Sequence, residues 1–150
     1  MLNEDYKEIL CIFTKHRVKF LVVGAYAMGV YGYPRATGDF DIWVESTLEN
    51  SRKIYTALKE FGSPLAEITP ETFSGKDVVF QIGVAPRRID LLTHIDGVNF
   101  IEAYKFKEEI NMEGIKIPFL SKKNLIKNKK ATNREKDKLD LAYLSKKPQK

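Results

Sequence analysis

Apolar residues Tyr6, Ile9, Leu10 and Phe13 recur at three- and four-residue intervals, which predicts a helix over residues 3–16 with one buried face. The β-branched run VKFLVV (18–23) then predicts a short buried strand. Gly24 breaks that strand, and AYAMGVYG (25–32) predicts a short helix that fades at Gly32 and Pro34. A second strand is predicted at DFDIWV (39–44). Thr47 is placed to cap a helix running to about Phe61, with Leu48, Ile54, Leu58 and Phe61 on its apolar side. Gly62 ends it, and residues 62–76 read as loop and turn.

Two further strands, DVVFQIGV (77–84) and RRIDLLTH (87–94), meet at Ala85-Pro86 as a hairpin. NFIEAYKFKEEI (99–110) fits either a short helix or an irregular excursion. EGIKIPFL (113–120) predicts another strand, whose proline, Pro118, lacks an N–H and places its end at a sheet edge. Ser121 can cap a helix through KKNLIKNKKA (122–131). A last helix over about 134–145 carries Leu139, Leu141, Ala142 and Leu144, and SKKPQK reads as a loose tail. This order of elements predicts an α/β (α+β) fold, a mixed β-sheet with helices packed mainly on one side. Neither a repeat nor a long linker divides the 150 residues, so one domain is expected over 1–150.

Composition changes this picture in one respect. Hydrophobic residues make up 43% and charged residues 30%, the balance of an ordinary globular chain. No apolar run approaches the roughly 20 residues of a membrane span, the acidic start lacks a signal-peptide pattern, and a cytoplasmic location is expected. The lone Cys11 excludes an internal disulfide and reads as a small buried residue of the first helix. The charge, however, is uneven. Residues 122–150 carry 11 Lys/Arg against 3 Asp/Glu, while residues 1–121 carry 14 against 17. The basic C-terminal region suits a phosphate-bearing partner such as nucleotide or RNA, or else it is a solvated face.

The candidate chemistry begins with DFDIWV. Alternate residues of a strand share a face, so Asp39 and Asp41 project together and Phe40 points the other way. Two such carboxylates raise each other's pKa unless a cation sits between them. Asp90 is a third acid embedded in an apolar strand. If the two strands are neighbours, three carboxylates converge, enough for Mg²⁺ (or Mn²⁺) ions holding a nucleoside triphosphate. Plainer readings stand beside this one: Asp39 as a turn residue after Gly38, and Asp41 or Asp90 in a buried ion pair with Arg35, Arg87 or Arg88. Upstream, the strand–Gly24–helix junction in VVGAYA presents free backbone N–H groups suited to a phosphate, or is simply a tight turn.

The stretch VVGAYAMGVYGYPRATGDFDIWV resembles the nucleotidyltransferase superfamily typified by DNA polymerase beta. That signature is a hydrophobic strand, Gly-Gly or Gly-Ser, about ten residues, Asp-x-Asp, and a later acid on a strand. The form of the motif is most similar to small bacterial and archaeal nucleotidyltransferase-fold proteins related to abortive-infection and toxin–antitoxin systems. The C-terminal LIKNKKATNREKDKLDLAYL resembles their LIxNKxAxxRxKDxxDL ending, with Lys129, Arg134, Lys136, Asp137 and Asp140 at patterned positions. The resemblance implies metal binding and catalysis by Asp39, Asp41 and Asp90, and nucleotide contacts from Gly24, Ala25, Arg35, Thr37 and Lys129. Ala25 stands where the family has Gly or Ser, which keeps the backbone donor and lacks the hydroxyl. It implies a metal-dependent transfer of a nucleoside monophosphate from an NTP, with ATP expected, to a hydroxyl of RNA, a protein or a small molecule. The alternative is a non-catalytic, antitoxin-like binding module of the same fold.

Other residues add less. His94 ends a strand and reads as a surface or packing residue, and His16 is favoured at a helix C-terminus by the dipole. Tyr26, Tyr31 and Tyr33 fall near the motif, where one could stack on a base and the others pack into the core.

Overall fold

The computed structural model describes residues 2–33 and 37–145; Arg35 and residues 146–150 of the expected tail lie outside them. The elements run α1 (Glu4–Lys15), β1 (Phe20–Val23), α2 (Gly24–Val30), β2 (Asp39–Val44), α3 (Leu48–Phe61), a 3-10 turn (Thr72–Ser74), β3 (Val79–Ile82), β4 (Arg88–Leu92), α4 (Phe100–Lys105), β5 (Glu108–Met112), β6 (Ile115–Phe119), α5 (Lys122–Thr132) and α6 (Glu135–Leu144). The strands form one mixed sheet in the order β3-β4-β2-β1-β6-β5. β2 runs parallel to β4 and β1 parallel to β6, while the remaining neighbours are antiparallel.

The central strand β1 is buried at all four positions. Next to it, β2 divides its side chains by the strand period. Phe40, Ile42 and Val44 are fully buried on one face, and Asp39 and Asp41 stand half-buried on the other. Phe40 stacks on Tyr6 of α1 with ring centroids 4.6 Å apart and meets Tyr26 of α2 edge-on at 4.9 Å. The Tyr6 hydroxyl donates to the carbonyl oxygens of Pro86 (3.2 Å) and Arg88 (3.0 Å), which ties α1 to the start of β4. Burying an aromatic ring of this size is worth about 2–3 kcal/mol, so a one-residue slip of β2 is costly. It would put Phe40 in water and a carboxylate in the aromatic layer. Further along the carboxylate face, Trp43 is covered by Phe100 of α4 in an edge contact at 5.0 Å.

Helix ends follow local capping chemistry. Asn3, Thr47 and Ser121 each accept a backbone N–H of the first turn of α1, α3 and α5. Gly62 closes α3 in the left-handed region at φ 90°.

Four expectations need correction. Cys11 is exposed, since helical spacing sets it on the side of α1 opposite Tyr6, Ile9 and Phe13, beside the exposed Glu4, Glu8 and Lys15. Leu48 opens α3 but is exposed, because the buried face of that helix begins with Asn50 and Ser51. The 99–110 stretch is neither helix nor irregular throughout: after α4 it continues into strand β5, stabilised by antiparallel pairing with β6. Pro118 is not at an edge. β6 lies between β1 and β5, and its pairing with β1 is confined to Val22 opposite Phe119, beyond the proline, so the missing N–H interrupts nothing there.

The last helix departs furthest from the apolar pattern. Of the residues expected to pack it, Leu144 is buried but Leu139 is 65% exposed. The other buried positions of α6 are Asp137 and Asp140, a three-residue spacing that turns both carboxylates inward. Lys129 of α5 lies between them, its Nζ 3.3 Å from Asp137 and 2.9 Å from Asp140. Asp137 also accepts from the Thr132 hydroxyl (2.6 Å) and from the Arg134 backbone N–H (3.0 Å) and Nε (2.8 Å). Burial pushes the Asp137 carboxyl up, but these donors outweigh it and hold it well below the usual carboxylate range.

Replacing Lys129 by Met leaves two buried carboxylates without their shared cation. Urea unfolding should lose about 3–5 kcal/mol of stability, whereas Leu139→Ala on the exposed face should stay within about 0.5 kcal/mol of the parent.

Candidate active site

The parallel register of β2 and β4 sets Asp41 opposite Asp90 and Asp39 opposite Arg88. Paired residues of neighbouring strands share a face, so all four side chains project together. One ligand oxygen from each of Asp39, Asp41 and Asp90 can be chosen so that all three lie within 4.8 Å of one another. Three carboxylates this close repel strongly. Arg88 offsets part of that repulsion: its Nε and Nη2 donate to the two oxygens of Asp90 at 3.0 and 2.8 Å, and Nη2 lies 3.5 Å from Asp39. This fork geometry is a strong charge-assisted contact. The ion pair expected as the plainer reading of Asp90 and the three-carboxylate cluster are therefore present together.

Each carboxylate has a different environment. Thr37 donates its hydroxyl to Asp39 at 2.6 Å, and the Asp39 backbone N–H donates back to that hydroxyl at 3.3 Å. Thr37, expected to steady a triphosphate, thus orients Asp39. Asp90 is buried and held by Arg88. For Asp41, burial and then the neighbouring Asp39 and Asp90 push the carboxyl up to about 7, with Arg88 and Lys136 acting against them.

Gly24 begins α2 directly beside this group. Its φ of +69° is in the left-handed region, and a Cβ there would stand 2.4 Å from Asp41 Oδ2. Only glycine leaves room for the Asp41 carboxylate at the strand–helix junction. Val23, ahead of it, supplies no side-chain cap to the helix start.

These residues floor a cleft of about 430 Å³ whose opposite wall comes from α5 and α6. Gly24, Ala25, Thr37 and the three aspartates face Lys129, Arg134, Lys136 and Asp140 across it. An adjoining cavity of about 350 Å³ shares Gly24, Asp41, Lys129 and Arg134 and reaches His94. His94 pairs with Asp96 at 3.1 Å and is half exposed. A larger cavity of about 600 Å³ lies between α4 and α5, around Phe106 and Lys127, away from the three aspartates. The smaller cleft is the better candidate because it joins the Asp39, Asp41 and Asp90 cluster to facing cations.

Not every expected residue arrives free to act. Lys129 reaches the cleft but is 6% exposed and committed to Asp137 and Asp140; burial pulls its ammonium below its ordinary value, with Asp137 working the other way. The three tyrosines have packing roles: Tyr26 sits on Phe40, the Tyr31 hydroxyl donates to the Leu120 carbonyl at 2.6 Å, and Tyr33 contacts Tyr143 at 3.6 Å between ring centroids. His16 closes α1 beside Glu60, its Nε2 at 2.9 Å. Of the three arginines expected as partners of Asp41 or Asp90, Arg88 is, among the described residues, the one that pairs with Asp90, as Arg-x-Asp on a strand allows, since i and i+2 share a face.

Two solved structures share this architecture over nearly the whole chain. TM1012 from Thermotoga maritima, itself only proposed to be a nucleotidyltransferase, is 17% identical with a TM-score of 0.65, covering 95% of this chain and 94% of its own. The lincosamide antibiotic adenylyltransferase LnuA, in its lincomycin-bound structure, is 17% identical with a TM-score of 0.58, covering 96% of each chain. The fold is the nucleotidyltransferase fold. No family model matches the chain, and no curated protein does.

Within the nucleotidyltransferase fold, the carboxylate group suits a divalent ion. Its donors are hard oxygens, they converge from two strands, and Gly24 leaves the space beside Asp41 open. Burial beside Asp39 and Asp90 disfavours the charged form of Asp41, which a cation among the carboxylates would favour.

Two outcomes follow. Gly24→Ala should displace the Asp41 carboxylate and weaken Mn²⁺ binding, read by electron paramagnetic resonance, at least about tenfold if the misplaced ligand is lost. The raised Asp41 pKa has a definite sign. Its contribution favours folding below the unfolded-state carboxylate range and is lost as the pH rises towards 7. Urea midpoints of the metal-free protein should therefore fall between pH 5 and 8 by more than those of Asp41→Asn, and an equal fall in both would remove Asp41 as the cause.

Proposed function

We propose that this chain is a metal-dependent nucleotidyltransferase that moves a nucleoside monophosphate from an NTP, with ATP the expected donor, to a hydroxyl acceptor. The observation that carries the reading is the grouping of Asp39, Asp41 and Asp90 within 4.8 Å at a cleft faced by cations. The fold, shared with the adenylyltransferase LnuA, supports it.

In this reading the acceptor oxygen forms a bond to the α-phosphorus, the bond from that phosphorus to the bridging oxygen breaks, and pyrophosphate leaves. Asp39 and Asp41 would hold the nucleotide-associated ion, Mg²⁺ or Mn²⁺, and Asp41 with Asp90 a second, and such ions supply charge neutralisation around the transferring phosphoryl group. Asp41 and Asp90 would also help to take the proton from the acceptor hydroxyl. The start of α2 at Gly24 and Ala25 faces the same cleft and offers backbone donors to phosphate oxygens. Arg88 orients Asp90 through its two hydrogen bonds.

That same clamp favours a second reading. Arg88 already pairs with Asp90 and reaches Asp39, which suits a non-catalytic nucleotide-binding or antitoxin-like module. One experiment separates the two. The protein is incubated with Mg²⁺ and α-³²P-ATP in the presence of total RNA, protein extract and small-molecule hydroxyl compounds, beside an Asp39→Ala/Asp41→Ala double variant. Transfer of label by the parent and a loss of at least about 100-fold in the variant is the expected result. Metal-dependent nucleotide binding without transfer to any of these supports the second reading, and binding that survives the double substitution sinks the assigned site.

A further inference from the structure

The cleft has two opposed walls of opposite charge, and the three cations of the α5–α6 wall are not equivalent. Lys129 is buried, with its Nζ 3.3 and 2.9 Å from Asp137 and Asp140. Arg134 directs Nε and Nη2 to Asp137 at 2.8 and 3.2 Å. Both hold the helix pair together: diverting Lys129 would take the cation from Asp140, and diverting Arg134 would take two side-chain donors from Asp137. Lys136, in the first turn of α6, is different. It is exposed, it lines the cleft that holds Asp39, Asp41 and Asp90, and it enters no ion pair or hydrogen bond among the described residues. Its charge is felt at Asp41.

An uncommitted ammonium facing a carboxylate floor is suited to a ligand that brings both signs of charge: cations for the floor and a polyanion for the wall. A metal-bound triphosphate is such a ligand. We propose that Lys136, in place of the Lys129 assigned from the sequence pattern, is the side chain that meets the β- and γ-phosphates of the nucleotide. The assignment rests on the nucleotidyl-transfer reading and names a residue of that site. Its flexible stem lets it follow the phosphates without disturbing the fold, which Lys129 cannot do.

The test is calorimetric titration of the full chain with Mg²⁺ and α,β-methylene-ATP, which cannot be cleaved between its α and β phosphorus atoms, and in parallel with AMP. Lys136→Met should weaken the triphosphate about tenfold or more while changing AMP much less. Lys136→Arg should recover most of the loss, and Lys138→Met, about 200° around α6 from Lys136 and paired with Glu135, should bind as the parent does. Equal affinity of Lys136→Met and the parent for the triphosphate overturns the proposal, as does an equal loss for AMP and triphosphate. A parent chain that binds neither nucleotide overturns the proposal together with the nucleotidyl-transfer reading, whereas a normal parent with an indifferent Lys136→Met overturns this assignment alone.

Discussion

Three carboxylates held within 4.8 Å constitute a charge problem that the rest of this structure is arranged around. In water they would separate; here the β2–β4 register keeps them together. The molecule meets the cost by different means at each position. Arg88 neutralises Asp90 and reaches Asp39, Thr37 hydrogen-bonds Asp39, and Asp41 is left to hold a proton up to about pH 7. A carboxyl shifted by burial and by charged neighbours, lining a cleft, marks a candidate functional site.

Holding the register requires an anchor on the other side of the sheet. Phe40, between the two aspartates, is locked against Tyr6 and Tyr26, and the Tyr6 hydroxyl reaches across to the strand that carries Asp90. The same aromatic layer thus positions both strands of the site. Gly24 completes the arrangement by giving way to Asp41. At the far wall the logic is reversed, because the C-terminal helices are joined by buried charge more than by apolar surface. Lys129 bridges two carboxylates that α6 buries. A basic segment that looks solvated in sequence is therefore in part a structural clamp and in part, at Lys136, an open cation.

Much of the fold was legible because its signals are local. The face of α1, the caps at Thr47 and Ser121, the Gly24 break and the alternation in DFDIWV each depend on residues within a turn or two of one another. Strand β5 was not legible. Its sequence, EEINM, has little intrinsic preference for a strand, and pairing with β6 decides it. Leu48 is exposed because it lies at the margin of an apolar stripe, where only the packed neighbour defines the boundary, whereas the exposure of Cys11 follows from helical spacing alone.

For the site, the sequence by itself determined which acids share a face with which neighbours: Asp39 with Asp41, and Arg88 with Asp90, since a strand has a period of two. Tertiary structure alone decided that these two pairs are adjacent and in register, that Arg88 lies among the carboxylates, and that Lys129 is consumed by Asp137 and Asp140 while Lys136 is left facing the cleft. The division has a physical cause. Backbone geometry specifies direction from adjacent residues, but the partner of a charged side chain depends on distances set by elements far apart in the chain.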